Sequence, residues 1–353
     1  MSSIARTALN IIKDSNSYPA SSPWSASIDP EISFPIQPFE KLLQDLGWSE
    51  PLKWLTHWLN RGGTNIASSD WPRGIRSDWV WGLGLPLLSE VERFLTTTTE
   101  YVLIGISGLP GCGKTSLGHW LEASARKMNW PIAVISLDDF YLPAEDMVKA
   151  MKGNPWKVPR GLPGSHSIEL IESTIDNWRK DGNLVAPQFD KALRNGLGDR
   201  SGWRRANPKV LIIEGWFLGC PVISQFSEDI EINNDFLAKI SKNEIEYRQR
   251  VQEALAKYQP IWNRFNRLWH LKASQYNSIA SWKTQQEKNM LKERGTSLQG
   301  QSLDLFIRMI QTSLPYQSLL SINSNVVARV DSTRKVAWVG RKIDEPKDYL
   351  YGL

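Results

Sequence analysis

The sequence predicts an α/β fold with a mostly parallel central sheet and helices on both faces. Three observations predict it. Short, continuously apolar stretches recur at 101–107, 131–137 and 209–213, as strands buried on both faces require. Amphipathic stretches at 116–129 and 167–179 separate them, the alternation expected of parallel β-α-β units. A glycine-rich loop joins the first strand to the first helix.

Taken in order, residues 1–37 carry Ser and Pro without periodicity and read as a loose arm. From 39 to 59 apolar residues recur at spacings of three and four (Leu42, Leu43, Leu46, then Trp54, Leu55, Trp58, Leu59), which predicts helix. Gly62 and Gly63 stop it. Residues 79–95 form a second helix-like run, and 96–99 read as a connector. The chain therefore divides into a mostly helical extension, 1–95, and a main domain, 96–353. Beyond the third strand, 235–257, 267–292 and 303–312 read as helices. Residues 326–330 and 336–339 read as strands joined by a turn at 331–335.

Composition bounds the function. The net charge of +5 and pI of 9.0 suit anionic ligands, but the basic residues are too few and scattered for a nucleic-acid surface. Two cysteines, Cys112 and Cys220, exclude a disulfide framework and a multi-cysteine zinc site. They suit a reducing compartment, so the cytoplasm is expected. A Ser-rich, acid-poor start offers a chloroplast transit peptide as the alternative. No apolar run approaches the ~20 residues that span a bilayer. No membrane partner and a monomer or small oligomer are expected. The 17 tryptophans follow no fixed spacing and read as packing.

Gly108-Leu-Pro-Gly-Cys-Gly-Lys-Thr115 fits G-x-x-x-x-G-K-[ST] in full, between a strand and a helix as the mechanism needs. This places the fold among P-loop NTPases. Gly108, Gly111 and Gly113 let the backbone close on an anion. The N–H groups of Leu109, Pro110's neighbours, Cys112 and Ser116 then form an anion nest at a helix N-terminus. Lys114 is expected at the β- and γ-phosphates and Thr115 on Mg²⁺, so ATP and Mg²⁺ are the expected ligands. Cys112 reads as an inert thiol in this loop.

The motif alone does not separate kinase, ATPase and GTPase, although an Asn-Lys-x-Asp base-reading motif is absent. Acids at the carboxyl ends of strands narrow the choice, because ligands gather there in open parallel sheets. Asp138 and Asp139 follow the second strand; one of them is expected to take a proton from an acceptor hydroxyl. Glu214 ends the third strand and reads as the acid of the Mg²⁺ shell. Arg160, His166, Lys191 and Arg200 fall on loops between core elements and suit a small anionic acceptor.

The run of phosphate loop, Leu137-Asp-Asp-Phe-Tyr-Leu142, Arg160-Gly-Leu-Pro-Gly-Ser-His166, Phe189-Asp-Lys191, Gly198-Asp-Arg200 and Ile213-Glu-Gly-Trp-Phe-Leu-Gly219 resembles the D-glycerate 3-kinase family. That family is similar to the uridine kinase, pantothenate kinase and phosphoribulokinase group. The resemblance covers about 100–340 and implies ATP-dependent phosphorylation of D-glycerate to 3-phosphoglycerate. It implies Asp138 as the base and Arg160, His166, Asp190 and Lys191 near the acceptor. It also implies a helical lid at about 260–312. The family's Trp-Arg-x-Gln-x-Glu lid motif reads Trp282-Lys-Thr-Gln-Gln-Glu287 here, with Lys283 in place of Arg. A kinase of the same group with another acceptor, such as uridine or pantothenate, and a non-catalytic nucleotide-binding regulator are the competing readings.

Overall fold

A computed structural model describes residues 34–71, 74, 76–223 and 240–347. The arm expected before residue 34 lies outside the described residues, as do 235–239 of the helix expected at 235–257.

The described residues open with helices α1 (Ile36–Asp45) and α2 (Pro51–Asn60). The run expected over 39–59 thus divides in two. Gly47 adopts φ +94° and Pro51 starts the next helix, so one rod cannot continue. A wide turn at Val80–Gly84 leads directly into α3 (Leu85–Thr97), which takes up the first two residues of the expected connector. The indole N–H groups of Trp54 and Trp58 both donate to Ser89 Oγ (2.7 and 2.9 Å), which donates to the Leu85 carbonyl (2.9 Å). One hydroxyl therefore satisfies two buried indoles.

The core sheet takes β1 (Val102–Gly108), β2 (Ile132–Ser136), β5 (Val210–Gly215), β6 (Arg267–Ala273), β7 (Val326–Val330) and β8 (Val336–Arg341) in the order β2-β5-β1-β6-β7-β8. All pairs are parallel except β7–β8. Ile104 sits opposite Ile212, and Ile212 opposite Val134, so β-branched residues stack across the centre. Helix α4 (Lys114–Lys127) follows β1, and α6 (Ile168–Asp181) is capped by Ser167 and ended by Gly182 at φ +80°. Between them lies the short α5 (Ala144–Ala150). Beyond β5 come α7 (Lys242–Ala256), α8 (Ser278–Arg294) and α9 (Gly300–Thr312).

Two expectations are corrected. Residues 267–273 are the central strand β6 and not the start of a helix; the apolar Leu268 and Leu271 lie at helical spacing, which misleads. The expected lid range of 260–312 therefore contains a core strand, with α8 and α9 in the rest of it. Second, β3 (Leu184–Asp190) and β4 (Asp199–Ala206) form an antiparallel hairpin outside the main sheet, where loops were expected. Arg200 thus lies on a strand, and Asp190 ends one.

Apolar packing runs unbroken from α1–α3 into the sheet. Helix α1 lies on β8. Gly84 lets the Trp120 ring of α4 approach so closely that a Cβ would fall 2.3 Å from it. Glu90 of α3 is buried, yet it accepts from Trp269 Nε1 of β6 (2.6 Å) and pairs with Arg267 (2.5 Å). Burial pushes its carboxyl up, opposed by the Arg267 guanidinium.

Candidate active site

The loop Gly108–Thr115 sits at the carboxyl end of β1, at the centre of the sheet. Gly111 (φ +77°) and Gly113 (φ +121°) hold the left-handed conformations the loop needs. A Cβ on Gly111 would meet the Trp282 carbonyl at 2.8 Å, and one on Gly113 the Trp79 ring at 2.8 Å. The loop is thus walled by the Trp282 backbone on one side and by the Trp79 indole on the other, where composition had suggested that the tryptophans were mere filling. Lys114 is buried and donates to the Leu109 carbonyl at 3.1 Å; Cys112 Sγ lies 3.9 Å from the same amine. Arg334, in the β7–β8 turn at φ +65°, donates to the Gly111 carbonyl (2.8 Å), and Trp79 Nε1 donates to the Arg334 carbonyl (2.6 Å). No motif marks Arg334, because a single arginine in a tight turn has no sequence signature.

Thr115 Oγ1 donates to Glu214 Oε1 at 2.9 Å, which brings the two residues expected at Mg²⁺ into contact. Among the described residues no three acids, histidines or cysteines cluster into a metal cage. A hydroxyl and one carboxylate beside a phosphate cradle is nevertheless the donor set that suits Mg²⁺, which keeps waters and takes phosphate oxygens. The glycine cradle, the helix N-terminus and Lys114 likewise suit a triphosphate.

The adjacent acids have different surroundings. Asp139 faces inward: it accepts from the Ser136 N–H (3.1 Å), closing a capping box, and from the Phe189 N–H (3.3 Å). Burial pushes its carboxyl up. Asp138 faces a cleft of about 600 Å³ that also exposes the phosphate loop. It accepts from Lys191 Nζ at 2.5 Å, and His166 Nε2 lies 4.0 Å away. Burial opposes ionisation, but the Lys191 ammonium and the nearby His166 overcome it and hold the carboxyl well below its ordinary range. Lys191 is correspondingly raised by Asp138 against the effect of burial.

His166 is buried beneath the cleft, stacked on Tyr141 at 4.4 Å between ring centres. Burial lowers its pKa, favouring the neutral ring. Tyr258 Oη accepts the Gly164 N–H (3.0 Å) and lies 2.9 Å from His166 Nδ1. A tyrosine proton donated to Nδ1 leaves the imidazole proton on Nε2, facing Asp138.

Arg160 lines the cleft and is held by the Gly196 and Leu197 carbonyls at 2.8 and 2.7 Å. Lys283 of α8 lines it too, paired with Glu287 at 2.5 Å and lying over the Phe306 ring at 4.6 Å. Burial, with Lys191 and Arg160 nearby, brings the Lys283 amine down to about 8 despite Glu287. Pro110, Gly111, Cys112, Gly113, Lys114, Thr115, Ser116, Asp138, Arg160, Lys191 and Glu214 thus share one cleft. Gly108 and Leu109 line a smaller cavity instead, with His270 and Lys272.

Nor are Asp190 and Arg200 among the cleft's lining residues. Asp190 accepts from Arg294 Nη2 (2.6 Å) and the Ala192 N–H (2.9 Å), tethering α8 to the hairpin. Arg200 donates to the Tyr141 carbonyl (3.4 Å), because its place on β4 carries it past the cleft.

Among the described residues no helix is long and apolar enough to cross a membrane. No family model matches the chain. It is 32% identical over 196 residues to the uncharacterized kinase mug58 of Schizosaccharomyces pombe, spanning 52% of this chain and 69% of that protein. It is 27% identical over 219 residues to the chloroplastic D-glycerate 3-kinase of Arabidopsis thaliana, spanning 58% of this chain and 45% of that one. The solved structure of D-glycerate 3-kinase from Cryptococcus neoformans var. grubii superposes with a TM-score of 0.61 at 22% identity, over 72% of this chain and 96% of that one; this likeness speaks to the fold. The two kinases similar in sequence make ATP-dependent phosphoryl transfer the general activity, and the chain belongs to the glycerate-kinase-type family of P-loop kinases.

Proposed function

We propose that the chain phosphorylates D-glycerate at the expense of ATP, giving 3-phospho-D-glycerate. One observation carries the reading. Arg160, Lys191 and Lys283 line the same cleft as Asp138, which also holds the Thr115–Glu214 pair. Cations there suit an acceptor bearing a carboxylate, and a carboxylate among them suits one that also offers a hydroxyl. The likeness to the Arabidopsis enzyme favours glycerate among small hydroxy acids.

In this mechanism the glycine loop, Lys114 and Ser116 hold the triphosphate, and Thr115 with Glu214 would hold Mg²⁺, which when bound would offset the negative charge of the phosphates. Arg160 and Lys283 orient the acceptor's carboxylate. Asp138 accepts a hydrogen bond from its terminal hydroxyl and takes the proton as the new oxygen–phosphorus bond forms. A loose transition state asks little deprotonation beforehand, so a carboxylate of depressed pKa serves. Lys191 and His166 keep Asp138 ionised and aimed. Helices α8 and α9 act as the lid that excludes water.

An assay coupling ADP release to D-glycerate, with NMR of the product, tests the reading; 3-phosphoglycerate is expected. Turnover of uridine or pantothenate with none of glycerate would reject it.

Lys283 predicts a pH dependence. With its amine near pH 8, it is charged below that value and neutral above it. The KM for glycerate is therefore expected to rise between about pH 7 and 9.5. Lys283→Arg should flatten the rise, since a guanidinium stays charged throughout. A wild-type KM that is flat with pH would remove Lys283 from the acceptor site.

A further inference from the structure

We propose that Trp71, Arg76 and Trp79, which lie outside the stretch that resembles known kinases, build the nucleobase end of the nucleotide site. Trp71 and the face of the Arg76 guanidinium take the base, and Trp79 braces the loop beneath it. The inference rests on the cleft being an ATP site but not on the identity of the acceptor.

The direction in which a nucleotide must lie follows from the residues already placed. Lys114 and Thr115 mark the terminal phosphates. Thr115 is bonded to Glu214 of β5, on the side of the sheet that leads to β2 and Asp138. The base therefore leaves on the other side, toward β6, β7 and β8. The same cleft continues there, and its wall is Trp71, Arg76, Trp79, His119 of α4 and Thr333 with Arg334 of the β7–β8 turn.

This wall is rigid. Both edges of the Arg76 guanidinium are committed in-plane: Nε and Nη2 donate to the Asp78 carboxylate (3.2 and 3.3 Å), and Nη1 donates to the Thr333 carbonyl (3.1 Å). Asp78 is itself buried and accepts the Val336 N–H at 2.8 Å. An arginine fixed by its edges offers its flat face, the surface on which a base stacks. Trp71 is held edge-on against Trp79 (6.0 Å) and Trp120 (6.1 Å). Trp79 closes on Gly113 and bonds the Arg334 carbonyl. A preformed aromatic and cationic platform next to a phosphate cradle is suited to a purine ring, and the helical extension thereby acquires a chemical role.

The test compares two ligands by calorimetry, without any acceptor: Mg·ATP, and Mg·tripolyphosphate, which has the phosphates but no base. Arg76→Ala and Trp71→Ala are each expected to weaken ATP binding about 5- to 150-fold, the range for loss of one base stack, and to leave tripolyphosphate binding unchanged. Arg76 is the safer variant, because its side chain is 39% exposed and lies outside the tryptophan cluster. Equal weakening of both ligands would make these residues a structural brace and overturn the proposal. So would ATP binding that neither variant changes. Failure of the wild-type protein to bind either ligand would reject the ATP reading of the cleft, and this inference with it. Failure to phosphorylate glycerate would leave it intact.

Discussion

Lys114→Ala is expected to lower kcat on the order of 10³-fold while leaving the thermal midpoint nearly unchanged. The first half follows from electrostatics. A buried ammonium aimed at developing charge is preorganised, and the loss of one such donor costs about 10²–10³ in rate. The second half follows from the hydrogen bonds around it. The amine donates to the Leu109 carbonyl, but the Cys112 N–H also donates to that oxygen, so it keeps a partner in the variant. Stopped-flow measurement of ADP release, alongside differential scanning calorimetry, checks both halves. Retained turnover would contradict the proposed mechanism. A collapse in stability would show that the lysine also holds the loop together.

The neighbouring acids give the second large effect, and one as a contrast. Asp138→Asn should reduce kcat by about 10²–10⁴, the usual contribution of a positioned general base. It should cost little stability, because its partner Lys191 is about a third exposed and can turn to water. Asp139→Asn should do the reverse. The native carboxylate accepts two backbone N–H groups, from Ser136 and Phe189. An amide offers one acceptor and turns its NH₂ on the other N–H, at a cost of about 1–3 kcal/mol. Its kcat should stay within a few-fold of native. Measuring kcat and unfolding free energy for both variants decides the matter. A larger kinetic loss for Asp139→Asn would move the base by one residue.

What could be read from the sequence divides along physical lines. The phosphate loop was legible because its chemistry demands adjacent residues: glycines, lysine and threonine within one turn. β1, β2 and β5 were legible because a strand buried on both faces is apolar at every position. β6 was not, because it carries His270 and Lys272 into the core. Lys272 is sustained there by Glu345, 73 positions away, and no local pattern contains that partner. The β3–β4 hairpin was hidden because it stands clear of the main sheet, with Trp203 and three arginines on β4 and no apolar alternation. Within the site, the contrast between Asp138 and Asp139 needed the positions of Lys191 and Phe189. Arg334 and Arg76 act through backbone carbonyls of distant segments, which leave no trace in composition.

The bond between Glu90 and Trp269 also bears on how the chain is made. These partners are 179 residues apart, so this bond of α3 forms only once β6 exists. At about 5–20 residues per second, a ribosome needs roughly 10–40 seconds to supply the second partner after the first. During that interval α3 lacks β6, and α1 waits longer still for β8, on which it lies. The helices that open the described residues thus complete their packing only after the last strands are made. Their apolar faces are therefore expected to bind chaperones while those strands are being synthesised.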